Sequence, residues 1–273
     1  MKKIIYILGI LILTVSSCED VIEVDLNSAP QRLVIDASID WLKNTIGNNQ
    51  EIKLTLTADF YDNGVPPANG ATVTVTQISN GAAYNFVEDG TTGIYKTTSF
   101  NPILNEEYEL EVVYNGETYT GREILLPVAS IDFIEQVNDG GFGGDEIEIK
   151  AYYTDPANIE NYYFFEFDSG VAVIPSLDVY DDEFTDGNQI FGFYSEEDLA
   201  AGDNVNIKNH GISERFYEFM FLLLQQGSEE TDGPFQTQPA SVRGNCVNTS
   251  NSDNYPLGYF RLSEVDEVNY TVQ

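Results

Sequence analysis

The sequence has little positive charge, a single histidine and only two cysteines. Twelve lysines and arginines stand against 45 aspartates and glutamates, so the formal net charge of the 273 residues is −33. A chain this acidic repels nucleic acid and anionic lipid headgroups, and we expect neither as a partner. One histidine and two cysteines also exclude the usual Cys/His zinc site and a network of disulfides. The hydrophobic core alone must therefore hold the fold together.

The acidic residues are spread along the chain and do not form one block. This distribution favours a role in solubility over a specific attraction of cations or basic ligands. Hydrophobic residues make up 42% of the sequence and aromatic residues 12%, with 17 tyrosines and 16 phenylalanines. These proportions indicate a folded protein, and large rings pack well on the pleated surface of a sheet. We therefore expect a fold rich in β-strands.

The N-terminal hydrophobic run, residues 4–15, is too short to cross a membrane, because a spanning helix needs about 20 residues. Lys2 and Lys3 precede the run, which is the pattern of a secretory signal. The small residues Ser16 and Ser17 then lead to Cys18, and this junction resembles the bacterial lipobox, in which the cysteine is acylated and becomes the new N-terminus. The alternative is an ordinary signal peptide with a chance cysteine nearby.

We predict residues 1–17 as a lipoprotein signal peptide and Cys18 as the lipidated residue that anchors the mature protein in the lipid bilayer. Residues 18–30 are predicted as a lipidated tether. We therefore expect the mature protein to be held at a membrane by lipid.

Residues 31–126 show short runs of alternating hydrophobic residues with turn formers between them. The clearest is a hairpin in which Asn115-Gly116 connects Tyr108–Tyr114 to Glu117–Thr120, since Asn-Gly supplies the two positive-φ positions of a type I′ turn. This spacing of strands predicts an antiparallel β-sandwich of immunoglobulin-like or prealbumin-like type. The other predicted strands lie at Leu33–Ala37, Ile52–Thr57, Ala71–Thr76 and Gly93–Thr97.

Residues 128–273 are predicted as a second β-rich domain that carries one helix near 213–226. Ser213 is a good N-cap and Gly227 is placed to end the helix. The stretch between them is apolar almost all round, so we expect it to be deeply buried against a sheet. A second short helix is predicted to start at Ser195. The fold class is therefore mainly β, with a sandwich, a second β-rich unit and one buried helix.

The densest cluster of carboxylates is a weak candidate for a Ca²⁺ site. Hard oxygen ligands of this kind bind Ca²⁺ in extracellular modules. Their spacing does not match the DxDxDG loop, and a solvated acidic loop without any cofactor is the favoured interpretation. The candidate ligands are Asp178, Asp181, Asp182 and Asp186.

No motif identifies a catalytic site. His210 has no neighbouring Cys/His cluster and no GxSxG elbow accompanies it, so a structural or surface role is favoured over the orientation of a nucleophile. Cys246 is interpreted as a small buried hydrophobe, with a reactive thiol as the alternative. Tyr152-Tyr153 and Tyr162-Tyr163 are expected in the core or across strands more than on a ligand platform.

A series of short motifs extends over nearly the whole mature chain. It comprises Cys18-Glu19-Asp20, Arg32-Leu33-Val34-Ile35-Asp36-Ala37, Ala58-Asp59-Phe60-Tyr61, Gly93-Ile94-Tyr95, Asp155-Pro156, Asn161-Tyr162-Tyr163, Gly244-Asn245 and Leu257-Gly258-Tyr259-Phe260. In this order the motifs resemble a family of Bacteroidota lipoproteins known as domain of unknown function 4249. Cys246 stands where an aliphatic residue is expected from the resemblance.

The resemblance implies an outer-membrane lipoprotein that accompanies a TonB-dependent transporter, and no established biochemical activity. Glu19-Asp20 after the lipidated cysteine resembles the acidic signal that directs such proteins to the cell exterior. We therefore expect a non-catalytic accessory protein in nutrient capture or uptake. Two alternatives are a structural or adhesive surface lipoprotein that binds glycan or protein polymers, and a hydrolase with an unrecognised carboxylate site.

Overall fold

The computed structural model describes residues 30–59, 64–141, 144, 146–227 and 242–273, and Gln31–Gln273 form one compact unit. Fifteen strands and one helix are assigned in these ranges. The strands are β1 Leu33–Leu42, β2 Gln50–Leu56, β3 Thr72–Gln77, β4 Ala83–Glu88, β5 Ile94–Thr97, β6 Glu107–Tyr114, β7 Glu117–Ile124, β8 Ile131–Gly140, β9 Glu146–Thr154, β10 Tyr162–Asp168, β11 Ser176–Asp181, β12 Gln189–Ser195, β13 Asn204–Ile212, β14 Val247–Asn248 and β15 Leu257–Thr271; the helix is α1 Glu214–Gly227.

Two sheets contain these strands. The larger has twelve strands in the order β11-β10-β13-β15-β1-β2-β5-β4-β3-β6-β7-β14, and the smaller has the order β12-β9-β8. The predicted fold class, mainly β with sandwich-like sheets and one helix, is confirmed.

The first half of the chain folds as its alternation predicts. All pairings among β1 to β7 are antiparallel. Asn115 and Gly116 have φ angles of 48° and 81°, as the type I′ turn between β6 and β7 requires. The inward residues of these strands, among them Ile35, Leu54 and Leu110, form one hydrophobic core.

The second half has three layers: the three-stranded sheet, the strands β10 and β13, and the helix α1. The inner face of the three-stranded sheet packs on β10 and β13 through Ile149, Tyr153 and Phe165, while α1 covers the opposite face of β10 through Phe164. Both faces of β10 are therefore buried, which explains why its sequence is almost continuously aromatic and does not alternate.

Backbone pairing joins the two halves. β15 pairs with β13 in antiparallel and with β1 in parallel orientation, from Val34 opposite Leu257 to Leu42 opposite Val265. Phe260 and Leu262 of β15 also belong to the core of the first half. A second, separate core lies between the three-stranded sheet and β10 and β13, beyond the predicted boundary at 126–128.

The helix α1 is less buried than the sequence predicts. Phe216 and Met220 are buried against Phe164 and Tyr259, but Phe221, Leu222 and Leu223 are 40–45% exposed. An apolar composition therefore does not bury this helix all round, because only one stripe meets the sheet. The second predicted helix is absent: β12 runs through Ser195, whose hydroxyl donates to the carbonyl of Ile147, and a turn follows.

Within the described ranges, no helix is long and apolar enough to cross a membrane. The predicted signal peptide, Cys18 and all of the tether before Pro30 lie outside the described residues.

Candidate functional site

The outer face of the three-stranded sheet carries a row of aromatic side chains. Phe133 of β8 and Phe191 of β12 both stand opposite Tyr152 of the central strand β9. The rings of Phe133 and Tyr152 are stacked with centroids 4.6 Å apart, and those of Tyr152 and Phe191 are 5.1 Å apart. Phe193 follows Phe191 on the same face of β12. We call these four residues the aromatic face.

Strand geometry turns these rings outward. In β12, Gly192 and Tyr194 point into the core, so Phe191 and Phe193 point to solvent and are 38% and 40% exposed. A Cβ atom at Gly192 would lie 2.7 Å from the ring of Phe165, so glycine lets β12 approach the core closely. Phe133 is 47% exposed, following a bulge in β8 between Ile131 and Phe133.

A row of polar side chains borders the aromatic face on one side. Thr154 Oγ1 and Gln189 Nε2 both donate to Asp132 Oδ2, over 2.7 Å and 2.9 Å. All three residues are exposed. The cluster offers a carboxylate, a hydroxyl and an amide next to the rings.

Charged side chains border the other side. Lys150 Nζ lies 5.6 Å from the centroid of the Phe191 ring and 3.1 Å from Glu148 Oε2. Glu135 and Phe193 stand opposite Lys150 on the neighbouring strands.

The aromatic face suits the binding of a ligand with flat apolar surfaces and polar edges. Single exposed rings are common, but here exposed rings on β8 and β12 flank the half-buried Tyr152 of β9. Together they form a contiguous patch of the kind that marks interaction sites. Ring stacking supplies contact area, while the bordering Asp132, Gln189 and Lys150 supply hydrogen bonds. Sequence reasoning missed Phe133, Phe191 and Phe193. It favoured a core or cross-strand role for Tyr152, and the stacking of Tyr152 on Phe133 of the neighbouring strand confirms the cross-strand role.

The predicted Ca²⁺ candidates separate into two groups. Asp178 lies within β11, where its carboxylate accepts a hydrogen bond from the backbone N–H of Val179. Asp181 ends β11 and accepts from the hydroxyl of Tyr217 on α1, over 2.8 Å. Asp182 and Asp186 instead come together with Asp155, and each of the three offers an oxygen within 4.8 Å of the others. The sequence marks Asp155 only as part of the Asp155-Pro156 motif and not as a candidate ligand.

An acidic groove adjoins this group. It has a volume of ≈ 440 Å³, and seven of its eleven lining residues are acidic and none is basic. Burial raises the pKa of Asp182, and the like charges of Asp155 and Asp186 add to this, against the backbone N–H of Asn161, which lowers it. Burial likewise raises the pKa of Tyr153, and the charges of neighbours that include Asp155 and Asp182 raise it further.

His210 is a buried structural residue and not a surface one. Its Nδ1 lies 3.0 Å from Arg261 Nη1 and therefore accepts a hydrogen bond from the guanidinium. The hydroxyl of Ser263 accepts from the same Nη1 over 2.8 Å. The guanidinium of Arg261 thus occupies both the His210 nitrogen and the Ser263 oxygen. In a catalytic pair the histidine would instead accept a hydrogen bond from the serine hydroxyl, so these residues do not form a nucleophile with its base.

Cys246 is buried, as the sequence favours. It is 7% exposed, and burial raises the pKa of its thiol to about 12. A thiol that stays protonated at neutral pH is a poor nucleophile.

The sequence model of one family, described as Domain of unknown function (DUF4249), matches residues 19–268. The chain belongs to this family. No curated protein matches the DUF4249 chain.

Solved structures share weak likenesses with this DUF4249 protein. A segment of two fibronectin type III domains from chicken tenascin has 12% identity and a TM-score of 0.21, and the match covers 59% of this chain and 83% of that one. A DUF4785 family protein from Legionella pneumophila has 10% identity and a TM-score of 0.24, covering 67% and 51%. The fold assignment therefore depends on the strand pairing of the chain itself.

Proposed function

We propose that this chain is a non-catalytic outer-membrane lipoprotein that captures a ligand beside a TonB-dependent transporter. The aromatic face carries the proposal. A contiguous patch of exposed rings does not stabilise the fold, and such patches usually mark a site where a ligand or partner binds. Acylation of Cys18 would hold the protein at the membrane, on the cell exterior. Three acyl chains make such attachment effectively permanent, since each buried CH₂ contributes about 0.8 kcal/mol.

The chemistry of the aromatic face favours a saccharide as the captured ligand. Neighbouring strands are about 4.8 Å apart, so Phe133 and Phe191 stand about 10 Å apart across β9, enough for consecutive sugar rings. The C–H faces of sugars stack on aromatic rings, and their hydroxyls would meet Asp132 and Gln189 at the edge. A neutral saccharide is also not repelled by the acidic surface.

The partner is tested by crosslinking in intact outer membranes, followed by recovery of the protein from wild type and from Cys18→Ala. We expect a TonB-dependent transporter in the wild-type sample, and its loss when the anchor is removed. Lipidated protein that reaches the surface and crosslinks to no transporter would contradict the uptake role.

The capture surface is tested with immobilised polysaccharides and the variant Phe191→Ser. We expect this variant to be retained less than wild type. Phe184→Ser is the matched control, because Phe184 is 87% exposed and lies outside the aromatic face. Equal loss in both variants would show general hydrophobic adsorption and would contradict a specific site.

The second candidate is a structural or adhesive lipoprotein that binds glycan or protein polymers. The same aromatic face favours it, since stacking on a long polymer requires no transporter. Polymer retention that depends on Phe191, without any crosslinked transporter, is the result that would select this function.

A further inference from the structure

Three carboxylates from separate segments converge beside the acidic groove. Asp155 follows β9, while Asp182 and Asp186 belong to the connection between β11 and β12, and their oxygens lie within 4.8 Å of one another. Oxygen ligands of Ca²⁺ lie at about 2.4 Å from the ion, so two of them are separated by at most about 4.8 Å. The spacing of the three carboxylates therefore meets the limit for a shared ion.

Backbone groups hold the carboxylates in place. The N–H of Gly187 donates to Asp155 Oδ2 over 3.0 Å, the N–H of Asn161 to Asp182 Oδ2 over 2.9 Å, and the N–H of Asn158 to Asp186 Oδ1 over 2.7 Å. The other oxygen of Asp155 accepts from the hydroxyl of Tyr163. The group is thus oriented before any ligand binds.

The charge of this group is not balanced by protein cations. Asp155 and Asp182 are 2% and 5% exposed, and Asp186 is exposed. Among the residues that the structure describes, no lysine or arginine forms an ion pair with any of the three. Buried carboxylates are normally paired or bound to a metal, because removal of a charge from water is costly.

A fully buried hydroxyl without a partner points to the same place. Tyr153 is 0% exposed, and its hydroxyl makes no hydrogen bond. Tyr153 and Asp155 are two residues apart and face the same side, and the Tyr153 ring lies 4.6 Å from that of Tyr163, whose hydroxyl reaches Asp155. The Tyr153 hydroxyl is therefore directed toward the side of Asp155.

Two further buried oxygens beside Asp182 are unpartnered. They are Oδ1 of Asn161 and Oγ1 of Thr185, whose own backbone N–H groups donate to Asp182 Oδ2 and to the carbonyl of Asp182. Like the Tyr153 hydroxyl, they are buried oxygens that no protein donor uses. Ca²⁺ takes six to eight oxygen ligands, and water supplies those that the protein does not.

We propose that Asp155, Asp182 and Asp186 bind one Ca²⁺ ion. Oxygen donors without histidine or thiolate favour Ca²⁺ over Zn²⁺. Three carboxylates favour it over Mg²⁺, which usually binds through one or two carboxylates and gives up its water reluctantly. The ion would fix the connection between β11 and β12 to the end of β9. Thr154 and Gln189 lie next to these points, so the ion would also stabilise the polar border of the aromatic face. The proposal is independent of the proposed function.

The test is direct binding of Ca²⁺ to the full chain after treatment with EDTA, by calorimetry at about 0.15 M salt, which screens the general attraction of the acidic surface. We expect one ion per chain, with a Kd on the order of 10⁻⁴–10⁻³ M, as in extracellular modules, and weaker binding of Mg²⁺. Tb³⁺ in place of Ca²⁺ should show luminescence excited through the rings of Tyr153 and Tyr163.

The variants Asp182→Asn and Asp186→Asn should each weaken Ca²⁺ binding by more than about 10-fold. Asp178→Asn is the matched control, because it removes the same charge from β11 outside the group, and its affinity should equal that of wild type. If Asp182→Asn does not fold, the exposed Asp186 still decides the question. Absence of stoichiometric binding, or equal affinity in wild type and Asp186→Asn, would overturn the proposal.

Discussion

Nη1 of Arg261 lies 2.7 Å from Oδ1 of Asp40, and this ion pair connects strands that are 221 residues apart in the chain. A second bond joins Nη2 to Oδ2 over 3.2 Å. Arg261 is 4% exposed and also donates to His210 and Ser263. Because Arg261 donates to Nδ1 of His210, the ring proton belongs on Nε2, which faces Glu166 Oε1 at 3.7 Å. One guanidinium thus joins β1, β13 and β15.

Asp40→Ala should destabilise the protein by about 3 kcal/mol, since it leaves the buried charge of Arg261 without its counter-ion. The value lies at the low end of the range for buried pairs because the Asp40 side chain is 39% exposed. Urea unfolding measures the change. Asp89→Ala is the control: it breaks an exposed pair with Lys96 and should cost less than about 1 kcal/mol. Similar losses in both variants would contradict the role of burial.

The hydrogen bonds between Glu117 and the segment 248–254 should break only at strongly acidic pH, when the Glu117 carboxylate becomes protonated. Hydrogen bonds from Asn251, Tyr119 and Asn254 lower the pKa of Glu117 to about 2. A carboxylate with a lowered pKa stabilises the folded state above its ordinary pKa, and this stabilisation is lost as the pH falls through about 2. The side-chain NMR signals of Asn251 and Asn254 should report the transition.

Glu117→Gln should shift these signals at all pH values, because an amide nitrogen cannot accept a hydrogen bond. Glu111→Gln, at an exposed position of β6, should leave the transition unchanged. A transition near pH 4 in the wild type would contradict the lowered pKa.

Ser213→Ala should destabilise the protein by about 1–2 kcal/mol through loss of the cap of α1. Ser213 Oγ accepts from the N–H of Phe216 over 3.2 Å and donates to Glu123 Oε2 over 3.0 Å. Burial raises the pKa of Glu123, so its remaining hydrogen bonds matter to the fold. Thermal unfolding compares the variant with Ser213→Thr, which keeps the hydroxyl. Equal melting temperatures for the alanine and threonine variants would exclude the cap as the cause.

Gly258→Ala should destabilise the protein by about 3 kcal/mol, from left-handed strain together with overpacking. Gly258 has a φ of 86°, and a Cβ atom there would lie 2.1 Å from the carbonyl oxygen of Ile35. Gly116→Ala separates the two effects, since φ is 81° but no atom lies within 4 Å of its Cβ position. It should cost about 1–2 kcal/mol. Chemical denaturation measures the free energy of unfolding of both variants. Equal losses in the two would show that the backbone near Ile35 moves to relieve the clash, and would contradict the contribution of overpacking.

The strands of the first half could be predicted because each pattern is local. Ile52, Leu54 and Leu56 alternate with polar residues, and Asn115-Gly116 fixes a turn by its own backbone preferences. The parallel pairing of β1 with β15 could not be predicted, since no local signal says which distant strand lies beside Val34.

The candidate sites show the same limit. Phe191 to Tyr194 reads Phe-Gly-Phe-Tyr, so inward and outward residues are both apolar and alternation does not reveal the outer face. Asp182 and Asp186 could be selected from the sequence, but their partner Asp155 depends on the pairing of β9 with β12. Asp178 and Asp181 are near them in sequence, but they belong to β11 and not to this group.

The position of β15 sets an order of assembly during synthesis. β1 is synthesised well before β15, which is its parallel neighbour on one side. Until β15 is made, β1 presents an open edge that invites pairing with other chains, and the first core lacks Phe260 and Leu262. A chain that lacks β15 would therefore keep this edge open and would lose side chains from both cores.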